Sequence, residues 1–366
     1  MEKTKELSPK IKLFLEQESK HLSSYFPYRI NLFNDGQIAE NTAGIRISET
    51  EQQFANLGLT NLLFYYKLHD HSMRVPHWHA NAVEVGVVLT GKMKITIWDG
   101  LEKPQIFTVE ENGTWLIPQA TLHALENVGD EELDFFVAYN SPNAADRDFA
   151  TAWAALPNSL LERSLGLSPS EIETLKKTTL NRLSNYDPSS TPETSVIESP
   201  LSSNFFSVKP LYESKLGSIR RIDAETTPSM DVMALQQTRL NPGTMREPHW
   251  YIAKDTLLFV NKGTAFFTMM DDEGKVFNVL ITSGDLIFIP QGVFHTYVNV
   301  GTEILEVYEV FNTSKKISEV TLLNGAQQFS AETLSSATGL SKDTTERILK
   351  TPPQHYMIAF DEAETS

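Results

Sequence analysis

The sequence predicts an all-β chain of two tandem β-barrels, each followed by a short helical segment. Three observations carry that prediction. Residues 46 to 140 read as strand after strand separated by turns, the pattern of a sandwich or barrel. Residues 149 to 183 change to a helical character. The arrangement then recurs: Arg246, His249, Gly263, Pro290, His295 and Asn299 each follow Arg74, His77, Gly91, Pro118, His123 and Asn127 by 172 residues. An offset held over so many motif positions marks a duplicated unit.

Taken in order, residues 1–45 form an N-terminal arm that wraps the first unit or a neighbouring subunit. Ile11 to His21 reads as a short helix, and Tyr25-Phe26-Pro27-Tyr28 and Asn34-Asp35-Gly36 read as turns. The first unit spans 46–183. Leu62 to Tyr66 is a strand. Met93, Ile95 and Ile97 alternate with Lys94 and Thr96, the period of a half-buried strand. Trp115-Leu116-Ile117 runs into Pro118, and Leu133 to Tyr139 closes the set. Gly91, Asp99-Gly100 and Val128-Gly129-Asp130 punctuate these strands as turns. Ser168-Pro169-Ser170-Glu171 starts a helix, with serine as cap, proline at the first helical position and glutamate at the third; Ile172, Leu175 and Leu180 face inward. Residues 184–201, with three prolines and many Ser and Thr, form a linker. The second unit spans 202–350, with its clearest strands at Leu257–Val260, Thr264–Met270, Leu286–Ile289 and Ile304–Phe311. Residues 351–366 are a C-terminal tail.

The 366 residues carry 47 acidic against 31 basic side chains, a net charge of -16. Such a surface argues against nucleic-acid or anionic-membrane partners, but leaves room for a small anionic ligand beside a local cation. There is no cysteine, hence no disulfide and no thiolate chemistry. The polar first twenty residues lack a signal-peptide apolar run, and no stretch approaches the ~18 apolar residues of a membrane span. The expected location is cytoplasmic.

The chemistry gathers in His77-Trp78-His79, Glu84 and His123. Two histidines two apart on a strand point the same way. Glu84 has the wrong parity for one unbroken strand, and a bend at Ala80-Asn81 repairs it. His123 approaches from the strand after Pro118. Three imidazoles and one carboxylate suit a borderline divalent ion, manganese, iron, cobalt, nickel or zinc. They suit magnesium and calcium poorly. Arg74 is either a surface arginine or, through a break at Val75-Pro76, a fork for a carboxylate beside the metal. Asn127 pins a turn, and Trp78 packs outside.

In the second copy, His249 and His295 persist, Tyr251 replaces His79, Thr256 replaces Glu84, and Arg246 replaces Arg74. A metal there needs Asp255, Glu306 or Glu309, and only one of the two glutamates faces inward by parity. The expectation is an empty, structural or ligand-holding second site, with an anion pocket at Arg246 as one form of it.

The run from Met73 to His79, with Glu84 and Gly91 and then Pro118 through His123 to Asn127, resembles the two cupin motifs. Their duplication resembles the bicupins of the oxalate decarboxylase family over residues 45 to 350. That resemblance implies jelly-roll barrels, manganese on His77, His79, Glu84 and His123, and Arg74 positioning oxalate. It implies a lyase that yields formate and carbon dioxide with dioxygen taking part, and homo-oligomers, trimeric or hexameric. The family's lid carries a glutamate proton donor. Here the matching stretch, Ala144-Ala145-Asp146-Arg147-Asp148, is shorter; the glutamate position falls on Ala145, or on Asp146 with the gap placed differently, which makes Asp146 the candidate acid. Glu309 matches a glutamate near the family's second site. The typical glycine two after Pro118 is Ala120, while Gly292 keeps it in the second copy. A metal-dependent oxidase or oxygenase of a small acid, and a non-catalytic metal- or ligand-binding cupin, are the alternatives.

Overall fold

The computed structural model describes residues 6–48, 54, 57–101, 103–178, 181–187, 198–252, 255–313, 316–352 and 356–360. Leu180 and residues 188–197 of the expected linker lie outside these.

Each half is a pair of antiparallel sheets. The first half pairs a six-stranded sheet, built on Ser72–His79, Leu122–Asn127, Lys92–Trp98 and Gln105–Glu110, with a seven-stranded sheet built on Gly113–Ile117, Glu84–Thr90, Leu133–Tyr139, Leu62–Leu68 and Gly44–Ser48. The second half repeats both sheets. The two faces of Glu84–Thr90 explain its unbroken apolar run. Val88 lies in the core of its own unit with Met93, Ile95 and Phe135, whereas Val85, Val87 and Leu89 belong to a larger core shared with Phe259, Leu235 and Tyr308 of the second unit. Phe136 bridges the units, its ring centroid 5.5 Å from Phe259 and 5.4 Å from Tyr308. A strand buried on both faces loses its alternation. Lys92–Trp98, covered on one face only, keeps it.

Two features of the sequence prediction need correction. The chain is not all-β: eight α-helices occur among the described residues, a mixed α and β composition. The sheets are not barrels either. Among the described residues no ladder joins the six-stranded to the seven-stranded sheet of a unit, and each sheet ends in edge strands. Alternation specifies which face of a strand is buried, but not which edges meet, so an open pair and a closed barrel share one pattern.

The helical signals are local and read well. Pro9–Glu18 starts on Ser8, whose side chain accepts from the Ile11 amide. Pro169–Lys177 carries the full capping box between Ser168 and Glu171, with Ile172 buried. The long-range connections are less expected. The arm reaches the second unit: Ile11 packs with Phe266, Val298 and Val300, and Arg29–Asn31 pairs with Asp285–Ile287. In return, Ser202–Asn204 pairs with Gly113–Trp115 of the first unit. Each unit thus borrows an edge strand from the segment that precedes the other. No helix among the described residues is long and apolar enough to cross a membrane.

Candidate metal centre

The strand Ser72–His79 presents Arg74, His77 and His79 to one side although their spacing is irregular. The ladder to Leu122–Asn127 pairs His77 with His123 and Arg74 with Leu125, so three steps on one strand face two on the other. This bulge falls at Val75-Pro76, where proline has no amide to lose, and it switches the parity. Trp78, between the imidazoles, points outward toward Phe149. A turn at Ala80-Asn81 then sends the chain into the other sheet, where Glu84 faces back over the pair.

His77, His79, Glu84 and His123 are all buried, and one donor atom from each lies within 4.8 Å of the others. The Nδ1 of His77 sits 2.8 Å from the Val75 carbonyl and that of His123 2.8 Å from the Thr121 carbonyl. A carbonyl only accepts, so each Nδ1 carries the proton and each Nε2 faces the centre. Burial, then the Arg74 charge, pushes the His77 pKa well down, which keeps that imidazole neutral. The His123 Nε2 and His79 Nδ1 are buried without any partner. Burial alone would raise the Glu84 pKa, but the neighbouring His123 and His79 imidazoles outweigh it and hold the group as a carboxylate. The Trp115 indole donates to one Glu84 oxygen at 3.0 Å, and the other lies 3.0 Å from the His79 Nε2. Imidazole nitrogens and a carboxylate thus converge on one point. That donor set fits a mid-row divalent ion.

Beside the centre, the fully buried Arg74 is spoken for. Its Nη2 donates to Asp146 at 2.6 Å and its Nη1 to Asp148 at 2.5 Å. Asp146 also meets the Arg182 guanidinium at 2.7 Å. Burial favours the neutral acid, but Arg74 and then Arg182 outweigh it, and the Asp146 pKa ends below its ordinary value. In this arrangement Asp146 is an ion-paired carboxylate. Asp148, Arg182 and Trp115 were not identified from the sequence. For the acid at 146 a signal existed: Glu319 is its counterpart in the second copy, pairing with Tyr251 as Asp146 pairs with His79.

The second half copies this frame closely. The His249 Nδ1 meets the Glu247 carbonyl at 2.7 Å and the His295 Nδ1 the Val293 carbonyl at 3.0 Å. Both Nε2 atoms are buried and unpartnered, and the rings lie 4.2 Å apart, as His77 and His123 lie 4.0 Å apart. Arg246 donates to Glu319 at 2.7 Å. Thr256 brings no carboxylate. Glu309, from the neighbouring strand, supplies one within 4.8 Å of both imidazoles. It accepts from the Tyr251 hydroxyl at 2.8 Å and from Gln236 at 2.6 Å. Asp255 accepts instead from the Gln291 amide and Thr60, and Glu306 bonds Asn261 and Arg239. Asn127 and Asn299 each tie a turn, bonding the Glu131 and Glu303 carbonyls and accepting from Gly129 and Gly301.

Two fused sheet pairs, each enclosing a histidine–carboxylate cluster built on the same bulged strand, define a duplicated protein with one candidate metal centre per unit. The pattern of the family described as Cupin matches residues 30–173 and again 203–346, and the chain belongs to the cupin family as a bicupin. Among curated relatives, oxalate decarboxylase OxdC of Bacillus subtilis is 23% identical over 265 residues, covering 70% of this chain and 67% of its own length. An oxalate decarboxylase of Arthroderma benhamiae is 24% identical, covering 68% and 66%. Germin-like protein 2-4 of Oryza sativa subsp. japonica is 30% identical, covering 39% and 64%. The chain spans about two thirds of the length of these relatives or slightly less. The structure of oxalate decarboxylase from Bacillus subtilis at pH 4.6 superposes with a TM-score of 0.80 at 18% identity, covering 92% of this chain and 88% of that one.

Proposed function

We propose that this bicupin is a metal-dependent enzyme acting on a small carboxylate, with decarboxylation of oxalate or a near relative as the reaction and manganese as the metal. The observation that carries the reading is the first centre itself, where buried donors converge and the His123 Nε2 has no partner. The choice of manganese and oxalate is supported by likeness alone: a solved neighbour of 18% identity is described by its Mn(II) centres, and two relatives are oxalate decarboxylases. A homo-oligomer, trimeric or hexameric, is the assembly that the motif resemblance implies.

When bound by His77, His79, Glu84 and His123, such an ion would supply positive charge for a carboxylate and, with dioxygen, an electron acceptor. The protein's own part lies in Arg74 and Asp146. A substrate carboxylate that takes the Arg74 fork displaces Asp146 from it. Losing that cation raises the Asp146 pKa against the remaining pull of Arg182, so substrate shifts the acid toward its protonated form. Protonation of the carbon left by carbon dioxide needs such a group.

The test pairs elemental analysis of the purified protein with assays of formate and carbon dioxide from oxalate. One metal per first centre and turnover that disappears in His77→Ala are expected. Full turnover in that variant rejects the reading. A second reading, a non-catalytic metal- or ligand-binding cupin, is favoured by one observation: Glu319 repeats the Arg–carboxylate pair in the second unit, which suits a structural role for Asp146. Metal without turnover of any small acid would select it. Oxygen uptake with peroxide release would select an oxidase instead.

A further inference from the structure

The cleft in front of the first centre is far larger than oxalate requires. Its volume is approximately 1090 Å³, and His79, Asp146, Arg182, Arg46, Leu62 and Phe64 are on its walls. Volumes of about 300–1,000 Å³ ordinarily enclose drug-sized ligands.

The cations on these walls are not equivalent. Arg182 is committed to Asp146. Arg46 is different. Its guanidinium lies 4.1 Å over the Phe64 ring, and its Nε donates to the Tyr66 hydroxyl at 3.2 Å. Among the described residues no carboxylate forms an ion pair with it. Asp35, also on the cleft, accepts from the Asn31 amide. Stacking and the Tyr66 bond fix the guanidinium plane and leave its terminal nitrogens for a planar anion. Phe64 meets Tyr139 at 5.5 Å between ring centroids, and Tyr139 meets His79 at 4.6 Å. Arg46 therefore stands two packed rings from the metal centre, Phe64 on the cleft and Tyr139 buried behind it.

We propose that the ligand of this site is an extended dicarboxylic acid, with one carboxylate at the metal centre, an apolar body along Phe64 and Leu62, and the second carboxylate on Arg46. The proposal rests on the metal reading above and deepens it. Oxalate reaches only one end of such a site.

The test measures calorimetric binding of adipate, hexanoate and oxalate to manganese-loaded protein, with metal content determined in the same samples. Adipate and hexanoate share a six-carbon body and differ in the second carboxylate. Adipate is expected to bind at least about tenfold tighter than hexanoate, the scale of one charged hydrogen-bonded contact. Arg46→Gln abolishes that difference and leaves hexanoate unchanged, while Arg46→Lys, which keeps the charge without the fork, retains part of it. Thermal melts of both variants verify folding. Equal binding of the two six-carbon acids, equal loss of both in Arg46→Gln, or no binding of either to the loaded protein overturns the proposal. An Arg46-dependent adipate preference that survives chelation upholds the cleft and overturns the metal reading instead.

Discussion

Removing metal from this protein should cost stability in an amount the first centre predicts. The His123 Nε2 is buried at the centre with no hydrogen-bond partner, and an unsatisfied buried group costs about 1–3 kcal/mol. A cation that satisfies it binds the folded chain and not the unfolded one. At a free concentration of about 100 times its dissociation constant it adds about 2.7 kcal/mol. For 366 residues the unfolding entropy is about 0.8 kcal/mol/K. The midpoint should then rise by about 3.5 °C if the chain unfolds as one unit, as its shared core suggests. It should rise by roughly twice that if the first unit melts alone. The assay is differential scanning calorimetry of chelated protein titrated with manganese, with bound metal counted by elemental analysis. His77→Ala should lose the part of the shift and of the stoichiometry that belongs to the first centre. A midpoint unmoved by saturating manganese, with no metal retained, would refute the inference that this lone pair awaits a cation.

Two further outcomes follow from single groups. Burial pushes the His295 pKa down to about 4, whereas an imidazole in the unfolded chain takes up its proton near pH 6.5. Between those values the unfolded state binds more protons, so stability falls as pH drops from 6.5 to about 4, by about 3 kcal/mol for this group. Urea unfolding of chelated protein across that range should show the slope, and His295→Gln should flatten it; an unchanged slope in the variant contradicts the assignment. Ala120 sits at a φ of 63°, where Gly292 occupies the matching turn at 77°. Its amide bonds the His79 carbonyl at 2.9 Å, so strain is held beside the centre. Ala120→Gly should relieve up to about 1 kcal/mol and raise the thermal midpoint without changing metal content. A lower midpoint would show that the turn carries no such strain.

Much of the site's layout was legible because it is local. His77 and His79 share a face by strand periodicity, and the bend before Glu84 was required by its parity. The duplication needed only an offset. The fate of Arg74 was not legible. Whether it reaches the centre depends on the bulge at Val75-Pro76, and whether it is free depends on Asp148 and Arg182, separated from it by 74 and 108 residues. Glu309 illustrates the same limit. Its inward parity was visible only as one of two choices, and its position beside His249 and His295 is set by the pairing of separate strands.

The sequence alone therefore determined the helix starts and the strand faces, which follow from spacing within a few residues, and the repeat, which follows from one constant offset. Only the tertiary structure decided that the sheets stay open, that each unit borrows an edge strand from the other's leading segment, and that Arg46 rather than Arg74 forms no ion pair with an acid among the described residues. Those outcomes depend on which surfaces bury one another across the chain, and backbone periodicity carries no information about that.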